Sequence, residues 1–238
     1  IHSAVALFEP EKNQVQLEGC RPIKYKQLVV AAGLKLDWDS IEGLNDTLGK
    51  NGVTSNYRYD LAPYTWELVQ NLKSGKAVFT QPPMPIKCAG APQKVMYLSS
   101  DIWQQDKRLQ DIVVEFYNAG PGLFGVKDYV PALEEYIEKY DIGLKFQRQL
   151  VKVDGPNKKA WFKVVGENAS DELVEVSFDL LHVCPPQIAP DFIRVSPLAD
   201  ASGWVDVDKF TLQHKRFDNI WSLGDVMNAP NAKTAAAA

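Results

Sequence analysis

Apolar and polar positions change rhythm several times along the chain. Near the start, Ala4-Val5-Ala6-Leu7-Phe8 is an apolar run, Glu9 to Asn13 is polar, and Gln14-Val15-Gln16-Leu17-Glu18 alternates. Period-two alternation marks a half-exposed strand, so the first segments predict a strand, a turn and an antiparallel partner. The segment Tyr25 to Gly33 has instead a continuous apolar centre, as expected of a strand buried on both faces. It ends on Ala31-Ala32-Gly33, small residues beside which a ligand or another backbone can pass. Residues 34–56 carry turn formers and charges and are expected to be a connection. From Tyr64 to Lys73 the period lengthens to that of a helix, with Trp66, Leu68, Val69 and Leu72 available to one face. Gly75 is a fitting stop.

The next segments predict a βαβ unit of ordinary length: a strand over 76–80, a helix over 92–103 and a strand from Ile112 to Tyr117. Asn118 to Gly125 is rich in glycine, but it lacks the G-x-G-x-x-G spacing and the following Lys-Ser/Thr of a phosphate loop. A plain connection is expected there. Asp128 is expected to cap a helix from Tyr129 to Tyr140, with Pro131 in its first turn. Strands are predicted over 144–153, 160–165, 173–176 and 178–184, then a short one from Trp204 to Val207. Asn219 to Asp225 reads as a final buried strand. Asn228 or Asn231 would cap an alanine-rich helix after it.

Two of these strands echo one another. Tyr25-x-x-Leu28-Val29-Val30-Ala31 aligns with Phe178-x-x-Leu181-His182-Val183-Cys184, and each follows strand-like segments separated by a polar turn. The pattern predicts an α/β protein of two Rossmann-like, three-layer domains, the second inserted in the first. Residues 1–44 and 185–238 would form one domain, and residues 45–184 the other.

Composition narrows the class. The chain has 238 residues, 45% hydrophobic and 24% charged, which is ordinary for a globular protein. Its net charge of -4 argues against a broad nucleic-acid footprint. The cysteines, Cys20, Cys88 and Cys184, are odd in number and far apart, unlike the disulfide framework of a small secreted domain. Cys/His spacing of the zinc-ligand kind is not visible, and no run is long and apolar enough to span a bilayer.

The chemistry gathers around Cys88, in Lys87-Cys88-Ala89-Gly90-Ala91-Pro92-Gln93-Lys94. This stretch lies where a strand hands over to a helix, the usual ligand edge of an α/β sheet. Lys87, Lys94 and the helix N-terminus would favour a thiolate, although the local residues alone point rather to a small packed cysteine. Gly224-Asp225 ends a strand with a carboxylate, either a cap or an acceptor for ribose or ribityl hydroxyls. Lys233 would lie in the first turn of the last helix, whose N-terminus favours negative charge. His182, alone in an apolar strand, reads as a core histidine.

Several ordered motifs then resemble one family. They are the cysteine loop 87–94, Leu123-Phe124-Gly125-Val126-Lys127, Gly203 to Lys209 with Thr211-Leu212-Gln213-His214, and Leu223-Gly224-Asp225 through Asn231-x-Lys233-Thr234-Ala235. Together, from about residue 25 to the end, they resemble the sulfide:quinone oxidoreductases, particularly the mitochondrial-type branch and its bacterial relatives. The resemblance implies a flavoprotein with FAD as cofactor, sulfide as substrate, quinone as electron acceptor, and a small thiol or other acceptor for the sulfur. It also implies association with a membrane surface, the bacterial cytoplasmic or the mitochondrial inner membrane.

Cys88 matches the family cysteine that receives or carries sulfane sulfur. In the mitochondrial-type branch its partner directly follows the Gly-Asp pair, where this chain has Val226. Three readings stay open: Cys184 serves instead, a preceding segment supplies a cysteine, or sulfide oxidation is lost or altered. The expected catalytic residues are Cys88 and Cys184, and the expected cofactor contacts are Ala32, Gly33, Lys94, Gly224, Asp225 and Lys233, with no metal. Before residue 25 there is no adenine-side G-x-G-x-x-G. The FAD domain is therefore expected to be incomplete, and the chain by itself to bind FAD poorly and to be inactive. The alternatives are a quinone- or thiol-linked flavoprotein without sulfide activity and a truncated, catalytically incompetent fragment.

Overall fold

In the computed structural model, residues 1–229 are described. Lys233, Asn231 and the alanine-rich segment expected to be helical lie outside them. The first strands are β1 (Val5–Glu9), β2 (Gln14–Leu17), β3 (Ile23–Lys24), β4 (Leu28–Val30) and β5 (Lys35–Leu36). Next come α1 (Leu44–Thr47), β6 (Val53–Thr54), α2 (Ala62–Asn71), β7 (Gly75–Gln81), α3 (Ala91–Gln105), β8 (Ile112–Asn118), α4 (Val130–Lys139) and β9 (Gly143–Phe146). The remainder is β10 (Arg148–Asp154), β11 (Lys159–Val164), β12 (Ser170–Ser177), β13 (Leu180–His182), β14 (Gln187–Ile188), α5 (Asp191–Arg194) and β15 (Ile220–Ser222). The contacts divide the chain into a middle unit, Asp37–Pro186, and a flanking unit made of Ile1–Leu36 with the segment from Gln187 onward. Residues 37–44, placed by sequence with the flanking segments, lie in the middle unit. Ile41 and Leu44 are buried in its core, and Glu42 exchanges backbone hydrogen bonds with Val151 and Val153.

The middle unit is built on a five-stranded sheet in the order β6-β13-β7-β8-β9, whose strands are parallel throughout. Alternate residues serve opposite faces. Ala77, Phe79, Val114, Phe116 and Leu180 pack with Val69, Met96, Trp103 and Ile137 on the helical side. Val78, Tyr117 and Leu181 pack on the other side with Leu150, Phe162 and Val176. Those last residues belong to an antiparallel sheet, β10-β11-β12, and the Tyr117 ring stacks on Phe162 at 4.0 Å. The result is three layers: helices, parallel sheet, antiparallel sheet. Trp103 Nε1 donates to the Val69 carbonyl at 2.8 Å, and Arg108 donates to the Gln70 and Leu72 carbonyls at 2.8 and 2.6 Å. These bonds satisfy carbonyls left open at the end of α2.

The flanking unit has the antiparallel β1-β2-β3 sheet, the antiparallel pair β14-β5 and the parallel pair β15-β4. Its core includes Phe8, Leu17, Val30, Ile193, Leu198, Val205, Ile220 and Val226. The two echo segments both become short parallel strands, β4 and β13.

Some sequence expectations change. The strand expected from Tyr25 to Gly33 is only Leu28–Val30; among the described residues it pairs only with β15, and Val29, on one of its faces, is 57% exposed. The strand expected over 144–153 breaks in two at Gln147, whose φ is 55°. Asp128 makes no capping bond to α4. Trp204 to Val207 forms no strand: Val205 bridges Ala199 and Met227 while Val207 bridges His214, so no ladder runs on. Gly75 opens β7 with φ 116°. A Cβ there would meet the Asp179 carboxylate at 2.1 Å, the same oxygen that accepts the Lys76 N–H at 2.9 Å.

Truncating Phe116, fully buried between sheet and helices, is expected to cost about 3–5 kcal/mol as Phe116→Ala. Val113→Ala, on the exposed side of the same strand, should stay within about 0.5 kcal/mol; urea unfolding of the two variants checks both. His182 is fully buried, and burial pulls its pKa from 6.5 down to about 4. The unfolded chain therefore binds more protons in that window, and stability falls as pH drops from 6.5 to about 4. His182→Gln should remove up to about 3 kcal/mol of this pH dependence, measured as the difference between unfolding free energies at pH 7 and pH 4.

Candidate functional site

Parallel strands deliver their polar chain ends to one edge of the sheet. In the middle unit, β7 leaves that edge through Pro82-Pro83 and a cis Met84–Pro85 peptide into the cysteine loop. Cys88 is exposed and has a left-handed backbone, φ 56°. A non-glycine residue in that region costs about 1–3 kcal/mol and persists only where the surroundings enforce it. Three hydrogen bonds do so. The Cys88 carbonyl accepts the Ala91 N–H at 2.8 Å and the Tyr57 hydroxyl at 3.4 Å. The Lys87 carbonyl accepts the same hydroxyl at 3.1 Å.

α3 starts directly after this turn, with Pro92 in its first turn and no side-chain cap. Lys94, one turn in, places Nζ 3.9 Å from Cys88 Sγ.

Cys184 follows β13 at the same edge. It is 2% exposed, its N–H donates to Thr80 Oγ1 at 3.1 Å, and its Sγ lies 3.9 Å from the Pro185 carbonyl oxygen. Thr80 Oγ1 in turn donates to the His182 carbonyl at 3.3 Å. Cys88 and Cys184 form no disulfide among the described residues. The fold brings them to one sheet edge, one exposed and one buried, and does not join them. His182 Nε2 accepts the Asn56 N–H at 2.9 Å, so the neutral ring carries its proton on Nδ1.

In the flanking unit, β4 and β15 run parallel in the register Val30 to Ser222. Ala32 and Gly33 therefore leave the pair at the same end as Gly224 and Asp225. Leu223 N–H and Ser222 Oγ both donate to the Val30 carbonyl, at 3.0 and 2.9 Å. Gly33 and Gly224 have φ of 71° and 73°, and a Cβ on Gly33 would enter open space. Asp225 lies in a 3-10 turn, Gly224–Val226, and among the described residues its carboxylate has no side-chain hydrogen bond or ion pair.

The chain just beyond that turn is tied down. Asn228 Nδ2 donates to Asp200 and Asp206, both at 2.9 Å, and Asn228 Oδ1 accepts the Val207 N–H at 3.1 Å. Burial pushes the Asp206 carboxyl up, but hydrogen bonds from Lys215 and Asn228 outweigh it and hold the group below the usual carboxylate range. Val226, where the resemblance leads one to look for a cysteine, is fully buried in the unit's apolar core.

Sequence reasoning singled out Cys88, Lys94, Cys184 and the two strand ends. It missed Tyr57, Thr80 and the His182–Asn56 bond. Tyr57 lies 31 positions from Cys88, and nothing in its neighbourhood signals the contact.

No protein-family model matches the chain. Two curated relatives are mitochondrial sulfide:quinone oxidoreductases. That of Mus musculus is 38% identical over 237 residues, covering 100% of this chain and 52% of the relative. That of Dictyostelium discoideum is 41% identical over 239 residues, with the same coverage of 100% and 52%. Among solved structures, a chain of the Tetrahymena thermophila mitochondrial ATP synthase F1Fo tetramer superposes with TM-score 0.82 at 26% identity, covering 98% of this chain and 57% of that one. The sulfide:quinone oxidoreductase of Aquifex aeolicus superposes with TM-score 0.76 at 19% identity, covering 95% and 52%; at that identity it supports the fold alone. The chain spans about half the length of the curated relatives it matches. Over its whole length the chain is similar in sequence to mitochondrial sulfide:quinone oxidoreductases.

Proposed function

We propose that the protein of which these residues form part oxidises sulfide to sulfane sulfur and passes the two electrons through FAD to a quinone. The observation that carries this is the 38–41% identity to sulfide:quinone oxidoreductases across the entire chain. In this reading Cys88 receives the sulfur as a persulfide. Lys94, 3.9 Å from its Sγ, favours the anionic sulfur on which such chemistry depends. Cys184 is the proposed second sulfur, because Val226 stands at the usual position and Cys184 shares the sheet edge with Cys88. With the two cysteines joined, attack by hydrosulfide would break their S–S bond, leave a persulfide on one and release the other as a thiolate. The sulfane sulfur then passes to a small thiol or other acceptor.

FAD, when bound, supplies the two-electron acceptor. The residues fit such a group. Gly33 offers backbone with open space beside it, and Asp225 offers a carboxylate without a protein partner among the described residues, suited to accept hydrogen bonds from ribose or ribityl hydroxyls. Ala32 and Gly224 complete this proposed edge. Lys233 belongs to the same proposal from its sequence position. A quinone acceptor is lipid-soluble, so the protein would work at a membrane surface. Among the described residues no helix is long and apolar enough to cross a membrane.

In the intact protein, Cys88→Ser is expected to lower sulfide-dependent quinone reduction by about three orders of magnitude without changing flavin content. Cys184→Ser should do the same, and full activity in that variant would remove Cys184 from the role. Asp225→Ala should weaken flavin binding about 10- to 100-fold, the value of hydrogen bonds to a charged group, read by flavin fluorescence on dilution.

A further inference from the structure

We propose that Tyr57 is a positioning residue for Cys88, and that His182 positions Tyr57. The proposal rests on the reading of Cys88 as the sulfur carrier, and it names what holds that sulfur in place. The direction of the Cα–Cβ bond at Cys88 follows from the orientation of the peptides before and after it. Tyr57 donates one hydroxyl to the carbonyls of both, at 3.1 Å to Lys87 and 3.4 Å to Cys88. The Ala91 N–H bond to the Cys88 carbonyl acts on the second of these peptides, and the Tyr57 hydroxyl acts on both. Removing that hydroxyl takes away a bond that holds the Lys87–Cys88 peptide in the left-handed backbone that sets Sγ beside Lys94.

The tyrosine can impose this geometry because its own turn is anchored in the core. Tyr57 N–H donates to Ser55 Oγ at 3.1 Å, and Ser55 is fully buried. The intervening Asn56 N–H donates to His182 Nε2 at 2.9 Å, on a ring with no solvent exposure that lies 6.0 Å from Phe79 in the neighbouring strand. A continuous path therefore runs from the centre of the parallel sheet, through His182, Asn56 and Tyr57, to the exposed thiol. Two of its links are hydrogen bonds between segments far apart in sequence, Asn56 N–H to His182 Nε2 and the Tyr57 hydroxyl to the carbonyls beside Cys88; the chain itself joins Asn56 to Tyr57. The arrangement gives a loop that has little regular structure the positional definition of the strands beneath it.

The three cysteines provide the test on the 238-residue chain. Second-order labelling rates of each thiol with iodoacetate and with iodoacetamide are measured by peptide mass spectrometry, with exposed Cys20 as the internal rate standard and buried Cys184 as the reporter of unfolding. Because Lys94 lies beside Cys88 Sγ, the iodoacetate-to-iodoacetamide ratio at Cys88 reads their proximity. In Tyr57→Phe this ratio is expected to fall about threefold, the factor an exposed charge pair contributes, with Cys184 still unlabelled. His182→Leu, which removes the acceptor, should show the same fall, and His182→Gln, which keeps one, should restore the wild-type ratio. An unchanged ratio in Tyr57→Phe overturns the proposal. Labelling of Cys184 in that variant also overturns it, since the hydroxyl would then support the whole unit rather than the loop. A wild-type ratio in His182→Leu overturns the role of His182. The labelling uses neither flavin, sulfide nor quinone, so its outcome is separate from the presence or absence of sulfide-dependent activity.

Discussion

Parallel pairing of β13, β7, β8 and β9 is the constraint from which the middle unit follows. Parallel neighbours cannot be joined by a tight hairpin, so each strand must leave the sheet at its C-terminal end and return through a crossover. Both faces of this sheet are covered over most of their extent, one by helices and one by β10-β11-β12, so the strand interiors are mainly apolar; Glu115 in β8 is a polar exception, paired with Lys76 and Lys145. Further polar side chains lie at the strand ends. Gln81, Asn118 and His182 close β7, β8 and β13, and Cys184 and the cysteine loop lie just past them. The edge that collects reactive groups is the edge that the pairing leaves open.

Position alone does not prepare a thiol for chemistry. Cys88 is exposed on a loop, and its left-handed backbone is a conformation the isolated segment would abandon. It is retained by bonds to groups that come from elsewhere: Ala91 in the helix that follows, and Tyr57 on a turn that precedes α2. The flanking unit solves a related problem with less. There the two strand ends beside Gly33 and Gly224 are fixed by the Val30 carbonyl, which takes two donors from the partner strand. The Asn228 amide ties down the chain just beyond. In both units the candidate residues lie on loops or turns that are held by hydrogen bonds from other segments.

Val226, where the resemblance leads one to look for a cysteine, is fully buried in the apolar core with Val205 and Ile220, a site that suits a small apolar side chain. Cys184 is also buried, but it lies at the edge of the parallel sheet among the hydroxyl and carbonyl groups of Thr80, His182 and Pro185.

Periodicity carried the class of fold and most of its elements. The alternation at Gln14–Leu17, the apolar runs at Ala77–Phe79 and Ile112–Phe116, and the helical spacing at 64–73 are imposed by burial, which acts on each segment as a local pattern. The cysteine loop and the Gly224-Asp225 strand end were legible for the same reason, since each lies at the boundary of such a pattern. The failures also have causes. A continuous apolar run cannot report whether both faces of its strand are covered, and in β4 Val29 is exposed. Nor can a sequence show an αL break such as that at Gln147. What only the tertiary structure decided is the support of the reactive residue. Tyr57, Asn56 and His182 are ordinary residues in their local contexts, and their hydrogen bonds to one another and to the cysteine loop exist because the parallel sheet brings distant strand ends together at one edge.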